Sequence, residues 1–475
     1  MPLERNVFVM PILTKFDQNG NTFSPMIRWF FRTFEISKSL GRCDFHKEKG
    51  VPLTKVFLEI FQLIFKGKNF YRTLETGEAQ CKKDTVYRFL NNPRHDWRKF
   101  LLLLSGTTIR KFLLPLTSKD RPKVLILDDS LFERLRSKKV ELLAKVYDHV
   151  SHKYAWGYRM LTLGWSDGST FIPLAFSNLS SPKEKNRVQG IKENLDKRRV
   201  SYKRRAEALQ KATDAGIMLM RQALRQKLQA SYALFDSWFS SPKMIAGVRE
   251  LRLHVVCRLK AMPRIYYRYH GEELNLKDLY KKVKKKASPD KVLASVLVEI
   301  TPRNRKALAA KIVFVRKKGS KKERGEGVSW IAILTTDCNL KDEEIIRLYG
   351  IRWDIEVFFK STKSFLGLAK EFHGRSYDFL VAHTSIVFTR YIMLAIKARQ
   401  DKDGRTFGTL FYDCYEEVKN MDLASAMALI LMLLEEAFAT FFVGTEEKLQ
   451  EILKAFKSLL PLRLQGLCPN LSCES

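Results

Sequence analysis

Apolar residues recur at helical spacing through the first part of the chain. The segments 56–65 (VFLEIFQLIF) and 97–104 (WRKFLLLL) both follow this pattern. Between them, the segment 84–92 (DTVYRFLNN) predicts a short helix that stops at two asparagines before Pro93. The pattern therefore predicts a mostly helical region over residues 1–118.

From about residue 121 the pattern changes to short apolar runs, which predict strands. The run KVLILDDS (123–130) is continuous and ends in Asp128 and Asp129, as is typical of a buried central strand. Segments 157–168 and 170–180 predict a hairpin, because turn residues separate them. The run YALFDSWFS (232–240) also predicts a short apolar strand that ends in an aspartate, Asp236. Further core strands are predicted at 254–260 and 330–337.

Between and beyond these strands, predicted helical segments alternate with predicted β segments. Residues 181–229 read as helical and basic, whereas 261–327 combine short β-like runs with cationic runs. We therefore predict an α/β protein with five parts. They are a helical region (1–118), the first part of a core (119–260), a β-rich basic insertion (261–327), the second part of the core (328–375) and a helical C-terminal region (376–475).

The net charge of the chain indicates which class of molecule it binds. The 475 residues carry 85 Lys and Arg against 51 Asp and Glu, a formal net charge of +34. Cations spread over the whole chain indicate a nucleic acid partner, and in this context the short helix at 84–92 suggests a helix-turn-helix-like DNA-binding region. An acidic membrane surface is the competing polyanion.

Neither a secretory signal peptide nor a clean membrane span is evident in the sequence. The apolar stretch 421–443 is interrupted by Glu435 and Glu436, so we interpret it as a buried helix. The seven cysteines form no CxxC pair and no spacing typical of a metal site, which favours reduced thiols in a cytoplasmic protein.

One segment, YGIRWDIEVFFKSTK (349–363), predicts a helix with a chemically distinctive face. At about 100° per residue, Tyr349, Arg352, Glu356 and Lys363 fall within a stripe roughly 60° wide. Apolar residues occupy the opposite face. A single acid between two cations suits a site that holds a metal through Glu356 and a polyanion through the cations. A charged stripe that only faces solvent has the same geometry.

Carboxylates at the ends of apolar elements suggest a metal site. Aspartates at 128–129 and 236 follow predicted strands, and Glu356 lies on the predicted helix. Three such groups could bind two Mg²⁺ ions, with Mn²⁺ as a substitute, for in-line phosphoryl transfer. Taken alone, each aspartate could equally open a turn or cap a helix. The sequence contains no phosphate loop of the GxxxxGK[ST] kind, no GxGxxG and no HExxH.

In three places the sequence resembles the DDE transposases of bacterial insertion sequences, the family of the Tn-five type transposase. The spacing Tyr–x2–Arg–x3–Glu–x6–Lys over 349–363 matches the YREK signature of that family. An apolar strand ending in Asp-Asp-Ser, at 128–130, matches the first catalytic aspartate with its acidic and hydroxylated neighbours. The segment YALFDSWFS matches the second. The resemblance is good over about 120–375 and weak in the N-terminal region.

The resemblance implies a fold and a set of roles. The fold would be an RNase H-like core, a mixed sheet with flanking helices, interrupted by a β-rich insertion. Asp129, chosen over Asp128 by the family pattern, would join Asp236 and Glu356 as catalytic metal ligands. Tyr349, Arg352 and Lys363 would contact DNA phosphates. Trp330, which precedes the signature helix, would stack on a flipped base; the alternative is that it only begins a core strand.

We therefore expect a DNA transposase that cleaves insertion-sequence ends and transfers the strands into target DNA. Its partner would be double-stranded DNA, with no membrane, and it would act as a homodimer in the DNA complex, through the C-terminal region. It would be cytoplasmic and associated with a bacterial nucleoid. Two alternatives stay open: a DNA-binding relative that no longer catalyses, and an RNase H-like nuclease that cuts without strand transfer.

Overall fold

The computed structural model describes residues 24–416 with short gaps, and a few positions beyond residue 416. The gaps are 48, 149–151, 192–194, 285–290, 304, 318–328, 372–373 and 401–406. The apolar stretch 421–443 except Met427, part of the cationic runs of the insertion and most of the predicted dimerisation region lie outside the described residues.

Among the described residues, six α-helices precede the first strand. They are α1 (Pro25–Thr33), α2 (Ile36–Gly41), α3 (Leu53–Gln62), α4 (Phe70–Glu75), α5 (Lys83–Leu90) and α6 (Trp97–Thr108). The helices predicted at 56–65, 84–92 and 97–104 are confirmed by α3, α5 and α6. Side-chain caps at Asn69 and Asp96 accept hydrogen bonds from the first turns of α4 and α6, which explains where these helices begin.

The eleven strands of the described residues belong to one mixed sheet. They are β1 (Val124–Glu133), β2 (Ala144–Asp148), β3 (Lys153–Ser166), β4 (Phe171–Leu179), β5 (Tyr232–Phe235), β6 (His254–Leu259), β7 (Tyr266–Tyr269), β8 (Glu272–Asn275), β9 (Val292–Ile300), β10 (Leu308–Arg316) and β11 (Trp330–Thr335). The order is β2-β3-β1-β5-β6-β11-β10-β9-β7-β8, and β4 also pairs with β3.

The centre of the sheet consists of β1, β5 and β6, which run parallel to one another. The first residues of β1, Val124 to Leu127, are fully buried, as expected for a strand covered on both faces. On one side, β3 pairs antiparallel with β1 and then with β4, which confirms the predicted hairpin. A mixed sheet flanked by helices is consistent with an RNase H-like core, the predicted fold class.

The predicted β-rich insertion consists of β7 to β10 with the short helix α10 (Leu276–Val283). These strands do not form a separate sheet. They extend the core sheet, because β11 pairs with β6 on one side and with β10 on the other. The insertion is therefore rigidly connected to the strands that carry the acidic residues.

Six further helices cover the sheet. They are α7 (Val200–Ala208), α8 (Ala212–Arg225), α9 (Pro242–Glu250), α11 (Asp342–Ile351), α12 (Trp353–Ser364) and α13 (Tyr377–Gln400). By length and composition α13 could cross a membrane, the one such helix found among the described residues, but its apolar window is completely buried inside the fold. It therefore serves as a core helix.

A buried arginine on α13 connects the N-terminal helices to the core. The Arg390 guanidinium donates to the carbonyl oxygens of Ile60 at 2.6 Å and Phe61 at 2.8 Å, at the end of α3. It also forms an ion pair with Glu371 at 2.6 Å. Because a buried charge is tolerated only with such partners, this contact specifies how the N-terminal helices pack.

The prediction of one uninterrupted helix over 349–363 is wrong at Arg352. Helix α11 ends at Ile351 and α12 begins at Trp353. At the junction the Arg352 N–H donates to the carbonyl of Tyr349, three residues earlier, and the Ile355 N–H donates to the carbonyl of Arg352. These tighter i, i+3 bonds turn the chain between the two helices, so the four signature residues do not share one straight stripe.

Candidate active site

The register between β1 and β5 brings two aspartates together. The ladder pairs Val124 with Tyr232 and continues to Leu127 opposite Phe235. The next residue on each strand is an aspartate, Asp128 on β1 and Asp236 just after β5. Because side chains at equal register in parallel strands point to the same face, these two carboxylates lie side by side at the end of the parallel ladder.

Their electrostatics reflect this crowding. Burial, together with the nearby charges of Asp236 and Asp129, raises the pKa of Asp128 to about 8. Burial also raises the pKa of Asp236, with a further contribution from Asp129. The backbone N–H of Trp238 donates to Asp236 at 2.9 Å and opposes that rise. Such a cluster of carboxylates attracts a cation.

In this structure that cation is Arg352. One of its terminal nitrogens, Nη1, donates to Oδ2 of Asp128 at 2.8 Å, and Nη2 donates to Oε1 of Glu356. The guanidinium carbon lies 5.7 Å from the centre of the Tyr349 ring. Arg352 therefore links the first strand of the parallel ladder to the helix that carries Glu356.

Two contacts hold α12 in position for this link. The Ser166 hydroxyl, at the end of β3, donates to Oδ2 of Asp354 in the first turn of the helix at 2.7 Å. On the buried face, the Phe358 ring packs against Phe171 of β4 at 5.0 Å and Tyr391 of α13 at 4.7 Å. The predicted apolar face of the signature segment is thus confirmed, and Glu356 stays on the other side, partly exposed.

Asp129 lies in a different environment from its neighbour. Successive side chains of a strand point to opposite faces, and Asp129 accepts two hydrogen bonds from Arg159 of β3. Nε donates at 2.9 Å and Nη2 at 2.6 Å. The Arg159 guanidinium also lies over the Trp238 ring, 5.1 Å from its centre. Asp128 therefore contacts Arg352, whereas Asp129, whose charge also raises the pKa of Asp236, contacts Arg159.

The remaining predicted residues lie further away. Lys363 is at the far end of α12, where burial lowers the pKa of its ammonium group while Glu133 and Asp148 oppose that effect. Trp330 begins β11, and its ring packs at 4.9 Å from Tyr280 and 5.1 Å from Phe314. This aromatic cluster fits the interpretation of Trp330 as the start of a core strand.

The donor chemistry of the site suits a hard divalent cation. Carboxylate oxygens are the ligands that Mg²⁺ prefers, and Arg352 already binds Asp128 and Glu356 as a positive charge between them. In the part of the chain that the structure describes, no three His, Cys, Asp or Glu side chains are grouped closely enough to hold a metal ion as they stand. The residues fit such an ion in type.

The sequence assigns no role to three residues that the structure places in this cluster. The family pattern favours Asp129 over Asp128, whereas the structure pairs Asp128 with Arg352. Trp238 is 49% exposed. Its position two residues after Asp236 in YALFDSWFS is a signal that the sequence contains. Nothing in the sequence distinguished Arg159, since only the pairing of β3 with β1 brings it to Asp129.

Two family models match parts of the chain. Residues 52–275 match the family model described as DDE superfamily endonuclease, and residues 203–393 match the transposase DDE domain. No curated protein gives a significant match. The first match contains the aspartates of β1 and both matches contain Asp236, while the second contains Glu356. Together with the acidic cluster and the mixed sheet, the two matches support a DDE-type transposase.

Proposed function

We propose that this protein cleaves DNA at the ends of an insertion sequence and transfers the cleaved strands into target DNA. One observation carries the proposal: Asp128 and Asp236 end neighbouring parallel strands, and Arg352 connects Asp128 to Glu356. Carboxylates from three separate elements around one arginine suit metal-dependent phosphoryl transfer.

Asp128, Asp236 and Glu356 would hold the metal, with Asp128 replacing Asp129 as the ligand from β1. Bound there, two Mg²⁺ or Mn²⁺ ions would activate the attacking oxygen and stabilise the leaving oxygen. Asp129 would then act through Arg159, by keeping that guanidinium beside the site.

The cations of the signature would hold the substrate. Arg352 offers a planar fork that matches a phosphate, and Tyr349 lies beside it. Lys363 would contact the strand further along α12. With the scissile phosphate held in this way, water attacks phosphorus and a 3′-hydroxyl leaves. That hydroxyl then attacks a second phosphodiester, in the opposite strand or in target DNA, and the bond from phosphorus to the 3′-oxygen of the attacked strand breaks.

The N-terminal helices would bind the DNA outside the catalytic site. A cavity of about 340 Å³ lies beside α5, and Lys47, Lys49 and Arg88 are among its lining residues. Cations grouped around a concave surface favour a phosphate backbone, and the net charge of +34 supports the same partner.

Joining two ends of one element requires two active sites, so we also propose a homodimer on paired DNA ends, in a bacterial cytoplasm beside the nucleoid. Size measurements with and without a duplex that carries the element's end test the dimer. A complex with one chain and one end would contradict it.

The function itself is tested with purified protein and a duplex that carries the element's own end and flanking DNA. The products formed with Mg²⁺ or with EDTA are resolved on a denaturing gel. Metal-dependent nicking at the end, lost in Glu356→Gln and retained in the matched control Glu344→Gln, is the expected result; Glu344 is an acid of α11 that pairs with Arg347. Products joined to a second duplex distinguish a transposase from a nuclease, and binding without cleavage would favour a non-catalytic relative.

A further inference from the structure

We propose that Arg352 is an exchangeable counter-ion, which couples metal binding to phosphodiester binding. In the free protein it binds Asp128 and Glu356; when a divalent ion takes its place on these side chains, the guanidinium is released to a DNA phosphate. This inference rests on the proposed function, because it assumes that these carboxylates bind metal.

A metal ion and Arg352 would bind the same two carboxylates. Arg352 donates to Oδ2 of Asp128 at 2.8 Å and to Oε1 of Glu356. A Mg²⁺ ion binds carboxylate oxygens at about 2.0–2.1 Å. On these carboxylates it would lie within a few ångströms of the guanidinium, where two positive charges repel strongly in a partly buried site. The guanidinium and the ion would therefore compete for these carboxylates.

In its present position, Arg352 lacks a partner within the described part of the chain for one of its hydrogen-bond donors. Its Nε is buried and has no hydrogen-bond partner among the described residues. An unpaired buried donor is costly, particularly on a charged group. A phosphate presents several acceptor oxygens and matches the guanidinium fork, so it can satisfy donors that the two carboxylates leave unmet.

Arg352 lies at the junction of two helices. It is the residue between α11 and α12, and its side chain is only 13% exposed. A movement of this side chain would leave the backbone hydrogen bonds to Tyr349 and Ile355 in place. The Tyr349 ring, 5.7 Å from the guanidinium carbon, would stabilise the cation beside the site.

Competition between the metal ion and Arg352 for these side chains would couple metal binding to phosphodiester binding. A metal ion that binds first releases Arg352 and so favours the phosphodiester. A phosphodiester that binds first withdraws Arg352 from the carboxylates and so favours the metal. Linkage requires the two effects to be equal, and couplings of this kind are typically about 5- to 150-fold.

The test measures Mn²⁺ affinity of the full chain from the free Mn²⁺ signal in electron paramagnetic resonance. It is made without DNA and then with a duplex that stops at the element's terminus, so that the duplex contains no bond to cleave; Mn²⁺ bound by the duplex alone is subtracted. For the unsubstituted protein we expect the duplex to tighten Mn²⁺ binding at least about 5-fold.

Arg352→Gln should bind Mn²⁺ more tightly than the unsubstituted protein without DNA, and the duplex should then add nothing. Arg352→Lys keeps the charge but loses the fork, so it should retain part of the coupling. The matched control is Arg347→Gln on α11, whose partner is Glu344 outside the site. It should behave like the unsubstituted protein.

Unchanged or weaker Mn²⁺ binding in both Arg352 variants without DNA would overturn the proposal, because a purely structural arginine would give that result. A duplex effect that survives in Arg352→Gln would also overturn it. The control Glu356→Gln separates this failure from that of the proposed function. If Mn²⁺ binding does not depend on Glu356, the metal site itself is misassigned, whereas binding that depends on Glu356 but not on Arg352 defeats the coupling alone.

Discussion

Asp128 and Asp129 are adjacent in β1, yet their carboxylates bind arginines from different parts of the chain. Asp128 accepts a hydrogen bond from Arg352, 224 residues later, and Asp129 accepts two from Arg159 of the neighbouring strand. The pleat of the strand separates the two side chains, so neighbours in sequence occupy different faces of the sheet.

This separation predicts unequal effects of two otherwise similar substitutions. Asp128→Asn should reduce metal-dependent cleavage by more than about 100-fold, the scale on which removing one preorganised electrostatic group acts. Asp129→Asn leaves Arg159 without its carboxylate and should reduce cleavage roughly tenfold, because it acts only through positioning. Single-turnover cleavage rates decide between them. The opposite order would restore Asp129 as the ligand from β1.

The cations around the cavity beside α5 predict a change in the salt dependence of DNA binding. Each phosphate contact contributes about 0.9 to the slope of log K against log salt. Replacing Lys47, Lys49 and Arg88 together by Gln should therefore lower the slope by roughly 2–3 when affinity is measured in EDTA at several salt concentrations. The control, Lys243→Gln, removes a lysine that pairs with Asp214 away from this cavity. Equal slopes for the triple variant and the unsubstituted protein would exclude the cavity as a DNA contact.

A buried histidine predicts loss of stability in acid. His95 stacks on Phe45 at 4.1 Å, and burial lowers the pKa of its imidazole to about 4 from a usual 6.5. As the pH falls, the unfolded chain binds this proton before the folded protein does. The contribution of neutral His95 to the free energy of unfolding is therefore complete above pH 6.5 and is lost as the pH falls towards 4. The loss is up to about 3 kcal/mol, at 1.36 kcal/mol for each pKa unit.

Urea denaturation at pH 7 and pH 4.5 measures this effect. His95→Gln should have a smaller difference in unfolding free energy between the two pH values than the unsubstituted protein. His270→Asn, which removes an exposed imidazole in the turn between β7 and β8, should retain the full difference. If both variants behave alike, the acid sensitivity arises elsewhere.

Close packing between β1 and β3 predicts that Gly157 does not tolerate a side chain. An added Cβ would overlap the backbone carbonyl oxygen of Phe132, which cannot rotate away. Gly157→Ala should therefore lower the free energy of unfolding by about 2 kcal/mol, within the range for overpacked sites. Gly41→Ala at the end of α2 meets nothing within 4 Å and should change it by less than about 0.5 kcal/mol. Denaturant melts compare the two, and a tolerated alanine at 157 would contradict the register of β1 and β3.

Much of the fold was determined by local pattern. The apolar run before Asp128 predicted β1, the run before Asp236 predicted β5, and the helical periodicity of the N-terminal region predicted α3, α5 and α6. These signals succeed because strands and helices bury one face, or both, with a period that the sequence displays directly. The acidic residues at the ends of these elements were visible for the same reason.

The tertiary structure alone decided which of these residues meet. Whether Asp128 or Asp129 faces α12 depends on the register of β1 against β5, since a shift of one residue exchanges the two faces. The turn at Arg352, the pairing of Arg159 with Asp129 and the enclosure of Trp330 by Tyr280 and Phe314 all depend on residues distant in sequence. Periodicity reports only which face a residue occupies, whereas contacts across a sheet or between helices depend on how those faces are brought together.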